Sequence, residues 1–150
     1  MIKLSPHFSL EEMTVTQVRD VDNEPKGAVL LDALKNTAMR MEAVRSILGH
    51  KPIIVTSGYR SSLVNRIVGG SISSAHMSGH AVDFISPSAG SPREICEKIA
   101  SSAILFDQMI WEESWVHLSF APKMRREILT KRRHGSYVQG IRSEKEEKRV

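Results

Sequence analysis

Two histidines and an aspartate carry the strongest chemical signal in this chain. Ser74-Ala-His76-Met-Ser-Gly79-His80-Ala81-Val82-Asp83 sets an imidazole and a carboxylate seven residues apart, with a glycine and small residues between them. A neutral imidazole and a carboxylate are good ligands for a borderline cation such as Zn²⁺. Two ligands do not make a stable site, and the third candidate is His117, in Trp115-Val116-His117-Leu118-Ser119-Phe120. Three protein ligands with one open position is the arrangement of catalytic zinc, whereas structural zinc takes four and is rich in thiolate. The chain has a single cysteine, Cys96, which argues against the structural kind.

Such a site needs strands to hold it. Residues i and i+2 of a strand share a face. Ala81, Asp83 and Ile85 then face one way on a strand over 81–85, and Trp115, His117 and Ser119 do so on another over 115–120. Asp83 and His117 point into one cleft if these strands are neighbours, with His76 reaching in from the preceding loop. Trp115 would wall the cleft or serve as a packing aromatic. Two further strands are expected at Pro52–Thr56, a β-branched run read as buried, and at 106–112, which forms a hairpin with 115–120 across Glu113-Ser114. Helices are expected from Ser9, with Glu12 completing a capping box, and from Ala28 to Leu48 on a 3.6-residue apolar period. Short helices follow at 62–67 and from Pro92 with Ser91 as cap. The basic segment Lys123–Arg133 reads as helical, and the end after Arg142 as frayed or disordered. The fold class is α+β, a small antiparallel sheet packed against helices.

Composition bounds the function. The 150 residues are 41% hydrophobic and 25% charged, as in an ordinary globular domain. No apolar run reaches the length of a membrane span, and the lone cysteine cannot form an intramolecular disulfide. The opening residues lack a signal-peptide core, so synthesis in the cytoplasm is expected, with another route to any target outside it. The formal charge of +4 is uneven: from Lys123 onward 10 Lys/Arg face 4 Asp/Glu, a net +6, leaving −2 on the first 122 residues. That terminal segment could attract an anionic cell-wall polymer or be a solvated face. Nucleic acid ranks last, because Tyr137 is the sole aromatic there. Domain limits are expected at 1–122 and 123–150, the latter a basic extension, in a protein expected to be a monomer.

Ser74-x-His76-x-x-Gly79-x-Ala81-x-Asp83 with Trp115-x-His117 resembles the signature of the D-alanyl-D-alanine carboxypeptidase-type zinc peptidases, related to the hedgehog and lysostaphin-like zinc folds. Phe8-Ser9-Leu10-Glu11-Glu12, Asn23-x-Pro25, Thr56-Ser57-Gly58-Tyr59-Arg60-Ser61, Asn65, Gly69-Gly70 and Phe106-Asp107-Gln108 are similar to its short-chain phage and bacterial branch. The resemblance covers roughly Ser5 to Phe120. It implies His76, Asp83 and His117 as metal ligands, and a glutamate just before the last histidine as general base. Glu112 and Glu113 both qualify; Glu112 is favoured, with Glu113 as alternative, while many relatives carry Glu where Ser114 stands. It also implies Arg60 as the arginine that holds a substrate carboxylate or polarises its carbonyl, and Ser74 as a substrate contact.

The implied activity is zinc-dependent hydrolysis of peptidoglycan stem peptides or cross-links, as a D-alanyl-type carboxypeptidase or endopeptidase. An L-alanyl-D-glutamate cutter is a further option. The setting would be a phage-type lysin or a virion-associated wall enzyme. The alternative is a non-catalytic, zinc-containing hedgehog-like binding or virion structural module. His80 reads as a bystander or as a group that supports the ligands from behind, and His7, His50 and His134 as surface residues.

Overall fold

In chain order the elements are β1 (Lys3–Ser5), β2 (Phe8–Ser9), α1 (Leu10–Met13), α2 (Ala28–Ile47), β3 (Ile54–Ser57), α3 (Ser62–Ile67), β4 (Ala81–Ile85), α4 (Pro92–Ala100), β5 (Gln108–Trp111), β6 (Val116–Ser119), β7 (Glu127–Lys131), β8 (Tyr137–Gln139) and α5 (Glu144–Glu147). This computed structural model describes residues 1–147. β1 and β2 pair as a small ribbon, and the other six strands form one sheet in the order β3-β4-β6-β5-β7-β8. The class is α+β. β3, β4, β6 and β5 are antiparallel, as the sequence implied, but β7 adds to β5 in parallel.

Local chemistry explains the element starts. Ser9 accepts from the Glu12 N–H while the Glu12 carboxylate accepts from the Ser9 N–H, which closes a capping box on α1. Ser91 and Glu94 do the same for α4, with Pro92 in the first turn. On α2, Leu34, Ala38, Met41 and Val44 form a fully buried stripe, which fixes the face that α2 turns inward.

One sheet face is core and the other is cleft. Val82, Phe84, Val116, Leu118 and Met109 are fully buried, with α4 packed over β5 and β6. Cys96 on α4 belongs to this core, and burial pushes its thiol up to about 12.

Three expectations are corrected. The strand at Pro52–Thr56 begins later and lies at the sheet edge, so Ile54 is half exposed rather than buried. The segment Lys123–Arg133, expected to be helical, is β7 and its approaches. Met124 and Arg126 have φ of 45° and 53°, which no α-helix accommodates. From 127 the side chains alternate: Ile128 packs on the core and Thr130 is buried, whereas Leu129 and Lys131 line the cleft. The open edge of β5 supplies the hydrogen bonds that a solvated helix would have made internally. The sheet therefore crosses the boundary expected at residue 122. Of the tail expected to fray, Glu144–Glu147 is α5, tied down by Glu146 to Arg93; residues 148–150 lie outside the described part.

Candidate metal centre

His76 sits at the bottom of a loop held by backbone and small side chains. The Ser74 hydroxyl accepts the His76 N–H at 3.2 Å, and the Arg60 N–H donates to the His76 carbonyl at 3.1 Å. Gly79 takes φ +77°, and its carbonyl accepts from the buried Thr37 hydroxyl on α2 at 2.7 Å. The His76 ring is 2% exposed, with Nδ1 2.8 Å from the Gly58 carbonyl. A carbonyl only accepts, so Nδ1 carries the proton and Nε2 presents its lone pair to the cleft. Gly58 has to be glycine: a Cβ there would lie 2.1 Å from the Met13 carbonyl oxygen.

Asp83 and His117 are direct partners in the β4–β6 register, so their side chains leave the sheet side by side. His76 Nε2 lies 3.2 Å from Asp83 Oδ1 and 3.3 Å from His117 Nδ1, and the last two atoms are 2.9 Å apart. Burial by itself would raise the Asp83 carboxyl. The two imidazoles beside it, His117 and His76, outweigh burial in the metal-free protein and hold Asp83 well below the usual carboxylate range. His76, Asp83 and His117 thus form a cluster able to hold a metal ion, and the three donor atoms close a triangle. Bonds of about 2.0–2.1 Å to a tetrahedral zinc put its ligands roughly 3.3 Å apart, close to this triangle. Two imidazoles and one carboxylate also match the donor chemistry of that ion.

The triangle lies in a cleft of about 820 Å³ that opens along the sheet face. Ser119, Gln108, Ile110, Glu112, Trp115, Leu129, Lys131 and Tyr137 continue its lining away from the ligands. A family model described as Peptidase M15 matches residues 6–119. The chain belongs to the Peptidase M15 family. It is also 44% identical over 54 residues to the zinc D-Ala-D-Ala carboxypeptidase of Streptomyces albus G. That match spans 36% of this chain and 21% of the relative.

Within the M15 chain, the other residues singled out by sequence fall in distinct places. The Arg60 guanidinium lines the cleft but is already engaged, donating to Ser57 Oγ at 3.2 Å, Asn65 Oδ1 at 3.4 Å and Asp83 Oδ2 at 3.4 Å. Asn23 grips the backbone around it: its amide donates to the Tyr59 carbonyl and its oxygen accepts the Ser61 N–H at 2.7 Å. Glu112 faces the cleft with its side chain 11% exposed, one oxygen accepting from the Trp115 indole at 2.9 Å. Glu113 turns away at φ +62°, is 55% exposed and pairs with Arg133. Ser74 and Trp115 both line the cleft. His80, next in the chain to Gly79, is partly buried, and that burial lowers its pKa, with Asp107 opposing.

Sequence reasoning missed the cleft residues supplied by the C-terminal segment: Arg125, Leu129, Lys131 and Tyr137. Arg125 clamps the buried Asp107 with two guanidinium bonds of 2.9 Å, and Lys131 Nζ stands 3.6 Å from Glu112. Little in the sequence signalled this, because Glu127-Ile-Leu-Thr-Lys131 sets its two apolar residues side by side instead of alternating them with polar ones.

Proposed function

We propose that this M15 protein is a zinc-dependent peptidase acting on peptidoglycan stem peptides or cross-links, at D-alanyl bonds, as a carboxypeptidase or endopeptidase. The observation that carries the reading is the convergence of His76 Nε2, Asp83 Oδ1 and His117 Nδ1 in a cleft that also presents the Glu112 carboxylate. Zinc held by these three atoms would supply a Lewis acid toward a peptide carbonyl and make water more acidic.

The chain's own residues supply the rest. Gly58 fixes the His76 tautomer and Arg60 steadies the second oxygen of Asp83. Glu112 takes a proton from the attacking water and hands it to the leaving amine. Arg60, at the cleft wall, keeps guanidinium edge for a substrate carboxylate or carbonyl, and Ser74 and Trp115 bound the peptide. The substrate class follows the name of the Streptomyces albus G relative and the lining charges. Arg60, Arg125 and Lys131 balance Asp83, Asp107 and Glu112, so a bound divalent ion leaves the cleft positive and suited to a carboxylate-bearing peptide.

The test is turnover of purified murein and of a synthetic stem peptide ending in D-Ala-D-Ala. Hydrolysis should vanish on EDTA treatment and return with added zinc. Turnover that persists after EDTA overturns the zinc mechanism, and a zinc-loaded protein that leaves both substrates intact overturns the peptidase reading.

A further inference from the structure

The matched family region ends at residue 119, yet the sheet and the cleft continue through β7 and β8. The parallel register pairs Trp111 with Thr130, which sets Lys131 beside Glu112 one step on. Across the β5–β6 hairpin, the Glu112 N–H donates to the Trp115 carbonyl at 3.1 Å and Trp115 shares the same cleft face. The Glu112 carboxylate is thus bracketed: the Trp115 indole N–H holds Oε2 at 2.9 Å and Lys131 Nζ faces Oε1 at 3.6 Å. Lys131 is steadied from its far side by the Tyr137 ring, 5.9 Å from Nζ to the centroid.

A nearly buried carboxylate needs such partners, because an unpaired charge there is costly. A carboxylate offers about four acceptor positions, and the Trp115 indole occupies one while Lys131 pairs with the charge, so acceptor positions remain for a water or substrate. The segment that the sequence presents as a basic appendage therefore touches the one group that must move a proton.

We propose that Lys131 is a positioning residue: with the Trp115 indole it holds the Glu112 carboxylate in the orientation from which Glu112 works. The kinetic side of this inference rests on the peptidase reading; the geometric side does not. Sequence position makes Lys131 specific. The neighbouring Arg133 pairs with Glu113 outside the cleft, and Arg125 is committed to Asp107.

The test compares K131M, K131R, E112Q and the double variant E112Q/K131M in the full chain. The protein has two tryptophans, so its amide NMR spectrum contains two indole N–H signals, and W115F identifies the one from Trp115. K131M should move that signal and K131R should not. In the E112Q background K131M should add no further displacement, because both act through one carboxylate. With a stem-peptide substrate, K131M should lower kcat roughly tenfold while KM stays within about twofold, and K131R should restore most of kcat. The proposal is overturned if K131M leaves the Trp115 signal in place, or if the K131M and E112Q displacements simply add. An unchanged kcat in K131M beside an active wild type also overturns it. A wild type without turnover would defeat the peptidase reading instead, and the indole coupling would still decide the role of Lys131.

Discussion

The two ends of the cleft are built by different means. The ligand end is local: His76 is fixed within a loop of a few residues, and Asp83 and His117 are register partners on strands whose alternation is plain in sequence. The far end is borrowed. Lys131 and Tyr137 reach the cleft because β7 joins the open edge of β5 and β8 joins β7. Chemistry specified by motif can be lost without disturbing the fold, whereas a wall specified by long-range pairing holds shape and function together. The cations of the 123–133 segment show the same thing. Arg125 pairs with Asp107, Lys131 with Glu112, Arg133 with Glu113, and Arg126 donates to the Ile104 and Ser102 carbonyls over the Phe106 ring. Each of these four cations has a partner on another part of the chain, although Arg133 stays 81% exposed.

The largest contrast comes from damaging one end at a time. His117→Ala removes a ligand but leaves the β4–β6 backbone ladder intact. Losing a group behind a ligand already costs about 10–100-fold in metal affinity, so losing the ligand itself should cost more. Zinc measured by mass spectrometry should drop to background, turnover should cease, and the metal-free variant should still unfold in one cooperative transition. Truncation after residue 122 should do the reverse damage. It bares the β5 edge and strips the cation from the buried Asp107, so the product should aggregate or lose its cooperative transition. A soluble truncated protein with a sharp melt would break the comparison, since β7 would then be an appendage after all.

The next effect separates the paired glutamates. Glu112→Gln should keep zinc and fold while lowering kcat by about 10²–10⁴-fold, the span usual for a lost general base. Glu113→Gln should stay within about twofold, because that side chain is exposed on the outer side of the turn and pairs with Arg133. Steady-state kinetics with zinc content measured in parallel checks both, and the opposite order would transfer the role to Glu113.

How much was legible in the sequence follows the same division. Asp83 and His117 could be placed on one face because strand alternation is strict, and the capping box at Ser9 and the cap at Ser91 could be read because side chain and backbone meet within four residues. Asn23, Asn65 and Gly58 stood out only through resemblance, and the structure supplies their physics: they hold the Arg60 backbone, the Arg60 side chain and the His76 ring. β7 was not legible as a strand because its run of Arg, Glu and Lys suits an exposed helix equally well. What decided it was the unpaired edge of β5, a feature of the assembled sheet. Ile54 was misjudged for the same reason, since β-branched residues announce a strand but not whether it lies at an edge.

The smallest expected effect probes the seam where the two ends are joined. Asp107 precedes β5 and is 5% exposed, and Arg125 gives it two side-chain bonds and a backbone N–H at 3.2 Å. Those bonds hold its carboxyl below the ordinary range, against the opposing effect of burial. A carboxyl whose folded-state pKa is depressed stabilises the fold above its unfolded value of about 3.9, and that contribution fades as pH falls through the folded value. Arg125→Ala removes the guanidinium but keeps the backbone donor, and Arg125 is itself 48% exposed and screened by solvent. The loss at neutral pH should therefore be about 1–2 kcal/mol, at the lower end for a weakened buried acceptor. Chemical denaturation of wild type and variant between neutral pH and about pH 3 should show this gap narrowing below about pH 4. Taking the difference cancels other depressed carboxylates such as Glu42, which Ser5 and His7 hold at the opposite edge of the fold. A gap that stays constant through the acid range would mean that Arg125 acts on the seam by packing alone, and that the charge of Asp107 contributes nothing to joining β7 to the sheet.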